Sequence, residues 1–109
     1  MPRQITVREL QSLRETGAPI VLIDVRQGWE HETCALPDSL LLPLDELRER
    51  WAEAEPATAG ALIVAYCHHG VRSLGAASIL EAHGLGPVVS LAGGIDAWSR
   101  EIDPAVPRY

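Results

Sequence analysis

The sequence predicts a single α/β domain whose central sheet has four to five mostly parallel strands, with helices on both faces. Three observations support this fold class. Strand-like apolar runs alternate with helical patterns, which is typical of parallel sheets with helical crossovers. Residues 20–25 and 61–66 are continuous apolar runs, as expected of strands buried on both faces. The length suits one domain, which we expect to span residues 1–109 with a C-terminal tail or strap at 103–109.

The first predicted helix begins after Thr6. Thr6 and Glu9 have the spacing of a capping box, in which each side chain binds the backbone N–H of the other residue. Apolar residues then recur on one helical face until Gly17, a residue type that commonly ends helices. The buried strand at residues 20–25 follows.

The middle of the chain carries weaker signals. Residues 40–42 are three leucines ahead of a proline, and we interpret them as a short strand. Asp45 is placed to cap a helix that continues to Trp51. Residues 56–60 begin with proline and end with glycine, which predicts a loop.

The second half of the chain repeats the alternation. The strand at residues 61–66 leads into a polar loop, and residues 73–83 have a helical pattern that Gly84 can end. Residues 88–91 form the last predicted strand. The glycines at residues 93–94 then turn the chain into a short helix that contains a tryptophan, which we expect in the core.

Composition and charge exclude several classes of protein. The net charge is −6 and the basic residues form no cluster, so we expect no nucleic-acid partner. No apolar stretch approaches a membrane span and no signal-peptide core is evident, so we expect no membrane partner and a cytoplasmic location. Two cysteines are too few for a disulfide framework, and no metal-binding pattern is evident. We therefore expect free thiols, no metal and no organic cofactor.

Cys67 is the strongest candidate for chemistry. It directly follows a buried strand, and parallel sheets bind ligands at the carboxyl ends of their strands. The chain then turns through Gly70 into a helix, so backbone N–H groups of residues 68–73 can form an anion-binding cradle. Such a cradle stabilises a thiolate, as does nearby positive charge. The side chains that could supply this charge are His68, His69 and Arg72.

Four segments of the chain, in the right order, resemble the rhodanese-like sulfurtransferases. These segments are Ile23-Asp24-Val25-Arg26 with Trp29-Glu30, Pro37 with Leu42-Pro43, Cys67-His68-His69-Gly70-Val71-Arg72-Ser73, and Leu91-Ala92-Gly93-Gly94-Ile95-Asp96-Ala97-Trp98. They match the family's first strand, its middle segment, its active-site loop and its glycine-rich C-terminal turn. The resemblance covers almost the whole chain, and it implies a rhodanese-like domain.

The resemblance also implies a catalytic cycle. Cys67 would take sulfane sulfur from a donor such as thiosulfate, hold it as a persulfide, and pass it to cyanide, a thiol or a sulfur-relay protein. This is the reaction of a thiosulfate:cyanide sulfurtransferase, with Arg72 as the second catalytic residue. The remaining implied site residues are His68, His69, Gly70, Val71 and Ser73 in the loop, Asp24 as a brace for the loop, and Arg26 at its rim.

The segment around Cys34 departs from the family. Family members commonly have a Gly-His-Ile-Pro-Gly-Ala-like segment where this chain has Cys34-Ala35-Leu36-Pro37-Asp38-Ser39. One interpretation makes Cys34 a second thiol that resolves the persulfide as a disulfide or takes the sulfur onward. The other is that Cys34 fills space in a short loop. Other polar residues receive no catalytic role: Glu30 is expected to be structural, and His31 and His83 exposed.

Two other functions remain open from the sequence. Protein phosphatases and arsenate reductases also use a cysteine loop that enters a helix, but phosphatases place five residues between cysteine and arginine. Only four residues separate Cys67 from Arg72, and a shorter loop forms a smaller cradle, better matched to sulfur than to phosphate. Rhodanese-like domains also occur as regulatory or docking modules, which typically lack the cysteine. The pair His68-His69 resembles loops of rhodanese domains attached to enzymes that activate ubiquitin-like sulfur carriers.

Overall fold

A computed structural model describes residues 3–109. Its five strands form one parallel sheet with the order β1-β5-β4-β2-β3. The strands are β1 (Arg3–Ile5), β2 (Ile20–Asp24), β3 (Leu40–Leu41), β4 (Leu62–Tyr66) and β5 (Val88–Leu91). The predicted parallel α/β fold is confirmed. The edge strand β1 was not predicted, because three residues are too short to show a strand pattern.

Helices and helical turns connect the strands. The α-helices are α1 (Val7–Glu15), α2 (Gly28–Thr33), α3 (Leu47–Arg50), α4 (Glu55–Thr58), α5 (Val71–Ala82) and α6 (Gly94–Glu101). Two 3-10 turns, Leu44–Glu46 and Trp51–Ala54, flank α3. The predicted capping box is present at the start of α1: the Thr6 N–H donates to Glu9 Oε1 over 2.9 Å, and the Glu9 N–H donates to Thr6 Oγ1 over 3.1 Å.

The helix cap predicted at Asp45 is wrong. The Leu44 N–H donates to the Val25 carbonyl over 3.0 Å, which fixes the chain against the end of β2, and the helical turn starts at Leu44, two residues earlier than a cap at Asp45 predicts. Asp45 therefore lies inside a 3-10 turn and caps no helix. Its carboxylate instead accepts a hydrogen bond from Gln27 Nε2 over 3.3 Å.

Three further boundaries differ from the prediction. The predicted loop at residues 56–60 begins inside α4, because proline is tolerated in the first turn of a helix. Helix α5 begins at Val71 rather than at residue 73. Helix α2 was not predicted, because it is only six residues long and shows no clear apolar period.

The sheet separates two hydrophobic clusters. On one face Ile63 and Ala65 of β4 pack in a cluster with Ala77 and Leu80 of α5. On the other face the intervening side chains of β4 pack in a cluster with residues of α1 and α6, including the predicted core residue Trp98. Helices therefore cover both faces, as predicted. None of the helices formed by residues 3–109 is long and apolar enough to cross a membrane.

Strand register positions the site. Asp24 at the end of β2 pairs with Tyr66 at the end of β4, so the residues that follow these two strands lie at one edge of the sheet. Cys67 is the first residue after β4. Ser90 of β5 pairs with Ala65 of β4, and its side chain therefore lies close to the start of the Cys67 loop.

Candidate active site

The sulfur of Cys67 lies in a cradle of backbone N–H groups. The Gly70 N–H donates to Cys67 Sγ over 3.1 Å, and the Ser73 N–H donates to it over 3.4 Å. Gly70 has a φ of +103°, a conformation that favours glycine. Both donors belong to the turn that enters α5, whose first amides lack partners within the helix. Two N–H groups of the predicted cradle are thus directed at a sulfur whose residue is only 1 % exposed.

Two buried serines extend the polar surroundings of the sulfur. Ser73 Oγ lies 3.5 Å from Cys67 Sγ, and it donates to the Gly70 carbonyl over 3.2 Å. The same oxygen is 2.7 Å from Ser90 Oγ. Ser73 and Ser90 are both completely buried. A pair of hydroxyl groups therefore connects the sulfur to the centre of the sheet.

The start of α6 holds the Cys67 loop from the opposite side. The Ile95 N–H donates to the Cys67 carbonyl over 2.9 Å, and the Asp96 N–H donates to the His68 carbonyl over 3.1 Å. Gly94 has a φ of +60°, and a Cβ atom there would collide with both of these carbonyl groups. The glycine pair predicted as a simple turn is therefore a direct support of the loop.

Arg72 forms a bidentate ion pair with Glu30. Nη1 and Nη2 of Arg72 donate to Oε1 and Oε2 of Glu30 over 2.7 and 2.8 Å. Glu30 is buried, and it also accepts hydrogen bonds from the Tyr109 hydroxyl and the Gln27 N–H. The bonds from Arg72, and then those from Tyr109 and Gln27, outweigh burial and lower the pKa of Glu30 to about 2. The guanidinium expected to act at the sulfur is thus anchored on a carboxylate.

Tyr109, in the segment at residues 103–109, contributes a side chain to the site. Its hydroxyl donates to Glu30 Oε2 over 2.6 Å and accepts from Arg26 Nη1 over 2.9 Å. Its ring stacks on His68 with a centroid separation of 4.0 Å and meets Trp29 edge-on. Burial, and then the hydrogen bond to Glu30, raise the pKa of Tyr109 to about 12. The hydroxyl therefore remains protonated and links the C-terminal segment to the site.

His68 does not supply the positive charge that the sequence suggested. Its ring lies between those of Tyr109 and His69, with a centroid separation of 3.9 Å from His69. Burial, and then repulsion from His69, lower the pKa of His68. Its Nε2 atom is buried and has no hydrogen-bond partner among residues 3–109. Burial and the neighbouring histidine therefore favour the neutral form of His68.

His68, His69 and Asp96 bring possible metal-ligating atoms within 4.8 Å of one another. The two carboxylate oxygens of Asp96 already accept hydrogen bonds from Arg100, over 2.9 Å, and from Arg108, over 3.0 Å. These ion pairs outweigh burial and lower the pKa of Asp96. Because two guanidinium groups occupy the carboxylate and repel a further cation, we assign no metal to this cluster.

Asp24 and Arg26 form a buried ion pair beside the site. Nε and Nη2 of Arg26 donate to the two carboxylate oxygens of Asp24 over 2.8 and 2.7 Å, and both residues are completely buried. Although burial opposes the charge, the hydrogen bonds to Asp24 and Tyr109 hold the pKa of Arg26 above its usual value. Arg26 is therefore not a rim residue, because its charge is neutralised in the interior.

The expected contact between Asp24 and the Cys67 loop is replaced by a contact with His31. Asp24 Oδ2 lies 2.7 Å from His31 Nδ1, and within the described part of the chain no hydrogen bond joins Asp24 to the loop. His31, expected to be exposed, is half-buried for this reason. His83 is exposed as expected, and its ring stacks on Trp51.

The structure does not bring the two thiols together. Cys34 packs in the hydrophobic cluster next to α1 and α6, whereas Cys67 packs in the cluster next to α5. Cys34 Sγ lies 4.0 Å from Arg26 Nη1, and the Cys34 carbonyl accepts from Arg26 Nη2 over 2.6 Å. Both cysteines are free thiols. The contacts of Cys34 favour the space-filling interpretation.

Sequence reasoning missed three features of this site. Ser90 could have been noticed as the one hydroxyl in the otherwise apolar run at residues 88–91. The pairing of Glu30 with Arg72 has no sequence signal, although the spacing of Gln27 and Glu30 suits a helix start. Tyr109 also has none, because its position depends on the path of the chain after α6.

The family of the chain follows from this geometry and from comparison with known proteins. The family model for the rhodanese-like domain matches residues 6–101. The chain belongs to the rhodanese-like domain family, as the resemblance in the sequence suggested. A relative that is matched over almost its full length is a sulfurtransferase.

Similar proteins include both single-domain and larger members. A sulfurtransferase of Allochromatium vinosum is 36% identical over 106 residues, which cover 97% of this chain and 96% of that protein. The adenylyltransferase and sulfurtransferase MOCS3 of Aedes aegypti is 35% identical, and the match covers 97% of this chain but 26% of the relative. The chain thus spans about a quarter of the length of the MOCS3 proteins it matches.

Solved structures show the same fold. The crystal structure of a rhodanese-related protein from Thermoplasma volcanium superposes with a TM-score of 0.81 at 30% identity. That match covers 98% of this chain and 99% of the other. The five-stranded parallel sheet with helices on both faces is therefore the rhodanese fold.

Proposed function

We propose that this protein moves sulfane sulfur from a small donor to a thiophilic acceptor through a persulfide on Cys67. The observation that carries the proposal is the position of Cys67 Sγ after β4, where the Gly70 and Ser73 N–H groups donate to it. N–H groups held in this way stabilise a thiolate and also the anionic sulfur of a persulfide. Preorganised donors of this kind lower the barrier to steps in which negative charge develops.

The proposed cycle has two balanced steps. With thiosulfate as donor, the Cys67 thiolate attacks the outer sulfur, the sulfur–sulfur bond of thiosulfate breaks, and sulfite leaves with the electron pair. In the second step cyanide or a thiolate attacks the outer sulfur of the persulfide, and Cys67 leaves as a thiolate. The products are thiocyanate or a new persulfide. Such a covalent intermediate predicts ping-pong kinetics.

Arg72 is the proposed second catalytic residue, and its ion pair with Glu30 defines how it would act. The hydrogen bonds that Arg72 donates to Glu30, and after them coulombic attraction to Glu30 and Cys67, raise the pKa of Arg72. Held on Glu30, the guanidinium contributes a fixed positive charge near the sulfur and anchors the start of α5 on α2. In this proposal Arg72 stabilises the anionic sulfur without leaving its carboxylate partner.

Intact-mass spectrometry after incubation with thiosulfate, cysteine persulfide or polysulfide tests the proposal. We expect the wild-type protein to gain one sulfur atom and the Cys67→Ala variant to gain none. Cys34→Ala is the matched control, because it removes the other thiol and should still be loaded. If none of the three donors adds sulfur to the wild-type protein, the proposed function is wrong.

A protein acceptor is the second candidate for the delivery step. The matched MOCS3 proteins combine adenylyltransferase and sulfurtransferase activities in one chain, which supports a relay in which sulfur passes to another protein. A reducing, cytoplasmic setting would keep both thiols of this chain free for that role. A relay predicts that persulfide-loaded protein gives its outer sulfur to the thiolate of a partner protein, with Cys67 leaving as a thiolate, faster than to an equal concentration of free cysteine.

The two alternatives from the sequence have direct tests. Phosphatase chemistry requires an arginine that is available to phosphate, whereas Arg72 is engaged by Glu30. We therefore expect no turnover of para-nitrophenyl phosphate, and turnover that disappears in Cys67→Ser would favour the phosphatase.

A purely regulatory or docking module would not accept sulfur on Cys67, so the mass measurement distinguishes that role as well.

A further inference from the structure

We propose that Ser90 is a positioning residue that directs the hydroxyl of Ser73 to the sulfur of Cys67 when that sulfur is anionic. The inference rests on the proposed persulfide chemistry. Ser90 lies on β5 between β1 and β4, and it is completely buried. Its hydroxyl has one side-chain partner within residues 3–109, namely Ser73 Oγ at 2.7 Å. Ser90 does not touch the sulfur, so it would act through Ser73.

Only one arrangement of the two hydroxyl groups gives each of their protons a hydrogen-bond acceptor. Ser90 donates to Ser73 Oγ, and Ser73 donates to the Gly70 carbonyl over 3.2 Å. In the reverse arrangement Ser73 donates to Ser90, and the Ser90 proton has no acceptor in a completely buried position. A buried donor without an acceptor costs more free energy than a typical hydrogen bond contributes. The Ser90 hydroxyl is therefore fixed as a donor to Ser73.

This arrangement changes when Cys67 loses its proton. In the thiol, the S–H group donates to Ser73 Oγ over 3.5 Å, so Ser73 accepts two hydrogen bonds and donates one to Gly70. In the thiolate, one acceptor position of Ser73 becomes free, and its proton can turn from the Gly70 carbonyl to the sulfur. Ser90 continues to donate to Ser73 and polarises its O–H group, which becomes a stronger donor to the anion.

Three donors then surround the anionic sulfur. They are the Gly70 N–H, the Ser73 N–H and the Ser73 O–H. In the proposed cycle Cys67 is anionic when it attacks the donor and again when it leaves the persulfide. The charged group that interacts with Cys67 from α5 is Arg72, whose guanidinium hydrogen-bonds to Glu30 and, among residues 3–109, forms no hydrogen bond with Ser90.

The test compares alkylation of Cys67 by iodoacetamide in three variants. Ser90→Ala removes the polarising hydroxyl, Ser90→Thr keeps a hydroxyl, and Ser99→Ala is the matched control. Ser99 is also a buried serine, but its Oγ has no hydrogen-bond partner within residues 3–109. We expect Ser90→Ala to be alkylated about two- to fivefold more slowly than wild type at pH 7, the size expected for one weakened hydrogen bond.

The pattern of results separates positioning from a merely structural effect. Ser90→Thr keeps a hydroxyl group at this position and should restore most of the rate at pH 7, which a merely structural effect of losing the serine would not predict. Ser99→Ala should match the wild type. Equal rates for Ser90→Ala and wild type at pH 7, or an equal deficit in Ser99→Ala, would overturn the inference.

The same variants, loaded with polysulfide, distinguish this inference from the proposed function. Release of the persulfide sulfur to cyanide should be about two- to fivefold slower in Ser90→Ala. If wild-type protein accepts no sulfur, the proposed function fails while the alkylation comparison still decides the role of Ser90. If wild-type protein is loaded but Ser90→Ala matches it in both alkylation and release, only the inference fails.

Discussion

At the residue scale, the carboxylate of Glu30 connects three parts of the chain. It accepts two hydrogen bonds from Arg72 at the start of α5, one from Tyr109 in the C-terminal segment and one from the Gln27 N–H before α2. A buried carboxylate with four donors is stable as an anion because its desolvation is offset by charge-assisted hydrogen bonds. The fixed position of Arg72 beside the loop therefore depends on Glu30.

This ionisation predicts how stability depends on acid. The pKa of Glu30 is lowered from 4.5 to about 2 in the folded protein. A lowered pKa contributes stability that is fully present above about pH 4.5 and is lost as the pH falls toward 2. The contribution is about 3 kcal/mol in the free energy of unfolding. In Glu30→Gln this part of the acid dependence should disappear, as measured by urea unfolding between pH 2 and pH 7.

Glu32→Gln is the control for that measurement. Glu32 lies on the same helix, α2, and is exposed, so its replacement should leave the slope of stability against pH unchanged. A Glu30→Gln protein with the same slope as wild type would show that the Arg72 pair does not stabilise the charge.

At the element scale, the Cys67 loop is fixed between two helix N-termini. The first amides of α5 point to the sulfur, whereas the first amides of α6 bind the carbonyl groups of Cys67 and His68. The free N–H groups at the two helix starts thus act on different atoms of one loop. The geometry of the sulfur cradle therefore depends on how closely α6 approaches the loop.

Gly94→Ala tests this dependence. A Cβ atom at Gly94 would collide with the loop carbonyl groups, and its φ of +60° is unfavourable for alanine. We expect a loss of about 2 kcal/mol or more in the free energy of unfolding, together with weaker sulfur loading of Cys67.

Gly75→Ala is the matched control for Gly94→Ala. Gly75 lies inside α5, and a Cβ atom there meets no neighbour within 4 Å. Alanine should raise the stability by about 0.5–1 kcal/mol, because glycine is a poor helix residue. Chemical unfolding of both variants checks the comparison, and similar effects of the two substitutions would show that the close approach of α6 to the loop does not contribute to stability.

At the scale of the whole molecule, the parallel sheet separates the two thiols. Cys34 lies in the cluster next to α1 and α6, and Cys67 lies in the cluster next to α5. A disulfide requires the two Cα atoms to approach within about 7 Å. Side chains packed on opposite faces of a five-stranded sheet meet this condition only if the packing around one of them is disrupted.

We therefore expect hydrogen peroxide to form no intramolecular Cys34–Cys67 disulfide in the folded protein. The same treatment in urea, followed by dilution to low protein concentration, should produce the crosslink because the sheet no longer separates the cysteines. Non-reducing electrophoresis with peptide mass mapping measures both outcomes. Rapid crosslinking of the native protein would restore the interpretation of Cys34 as a resolving thiol.

Local sequence signals predicted the elements that carry strong patterns. The apolar runs of β2, β4 and β5 and the capping box of α1 were recognisable because each depends on residues near in sequence. The segment between β3 and β4 was less predictable. There the hydrogen bond from Leu44 to Val25 moved the start of the helical turn away from Asp45, and such a contact between distant segments leaves no periodic pattern.

The sequence alone determined the parallel α/β fold, the position of Cys67 after a buried strand and the glycine turn of its loop, because each follows from neighbouring residue types. The tertiary structure alone decided which charges meet at the site. It anchored Arg72 on Glu30, buried Arg26 with Asp24, lowered the pKa of His68 between two rings, and brought Ser90 to Ser73. These contacts join residues far apart in the chain, and electrostatic effects depend on distance and burial, which only folding sets.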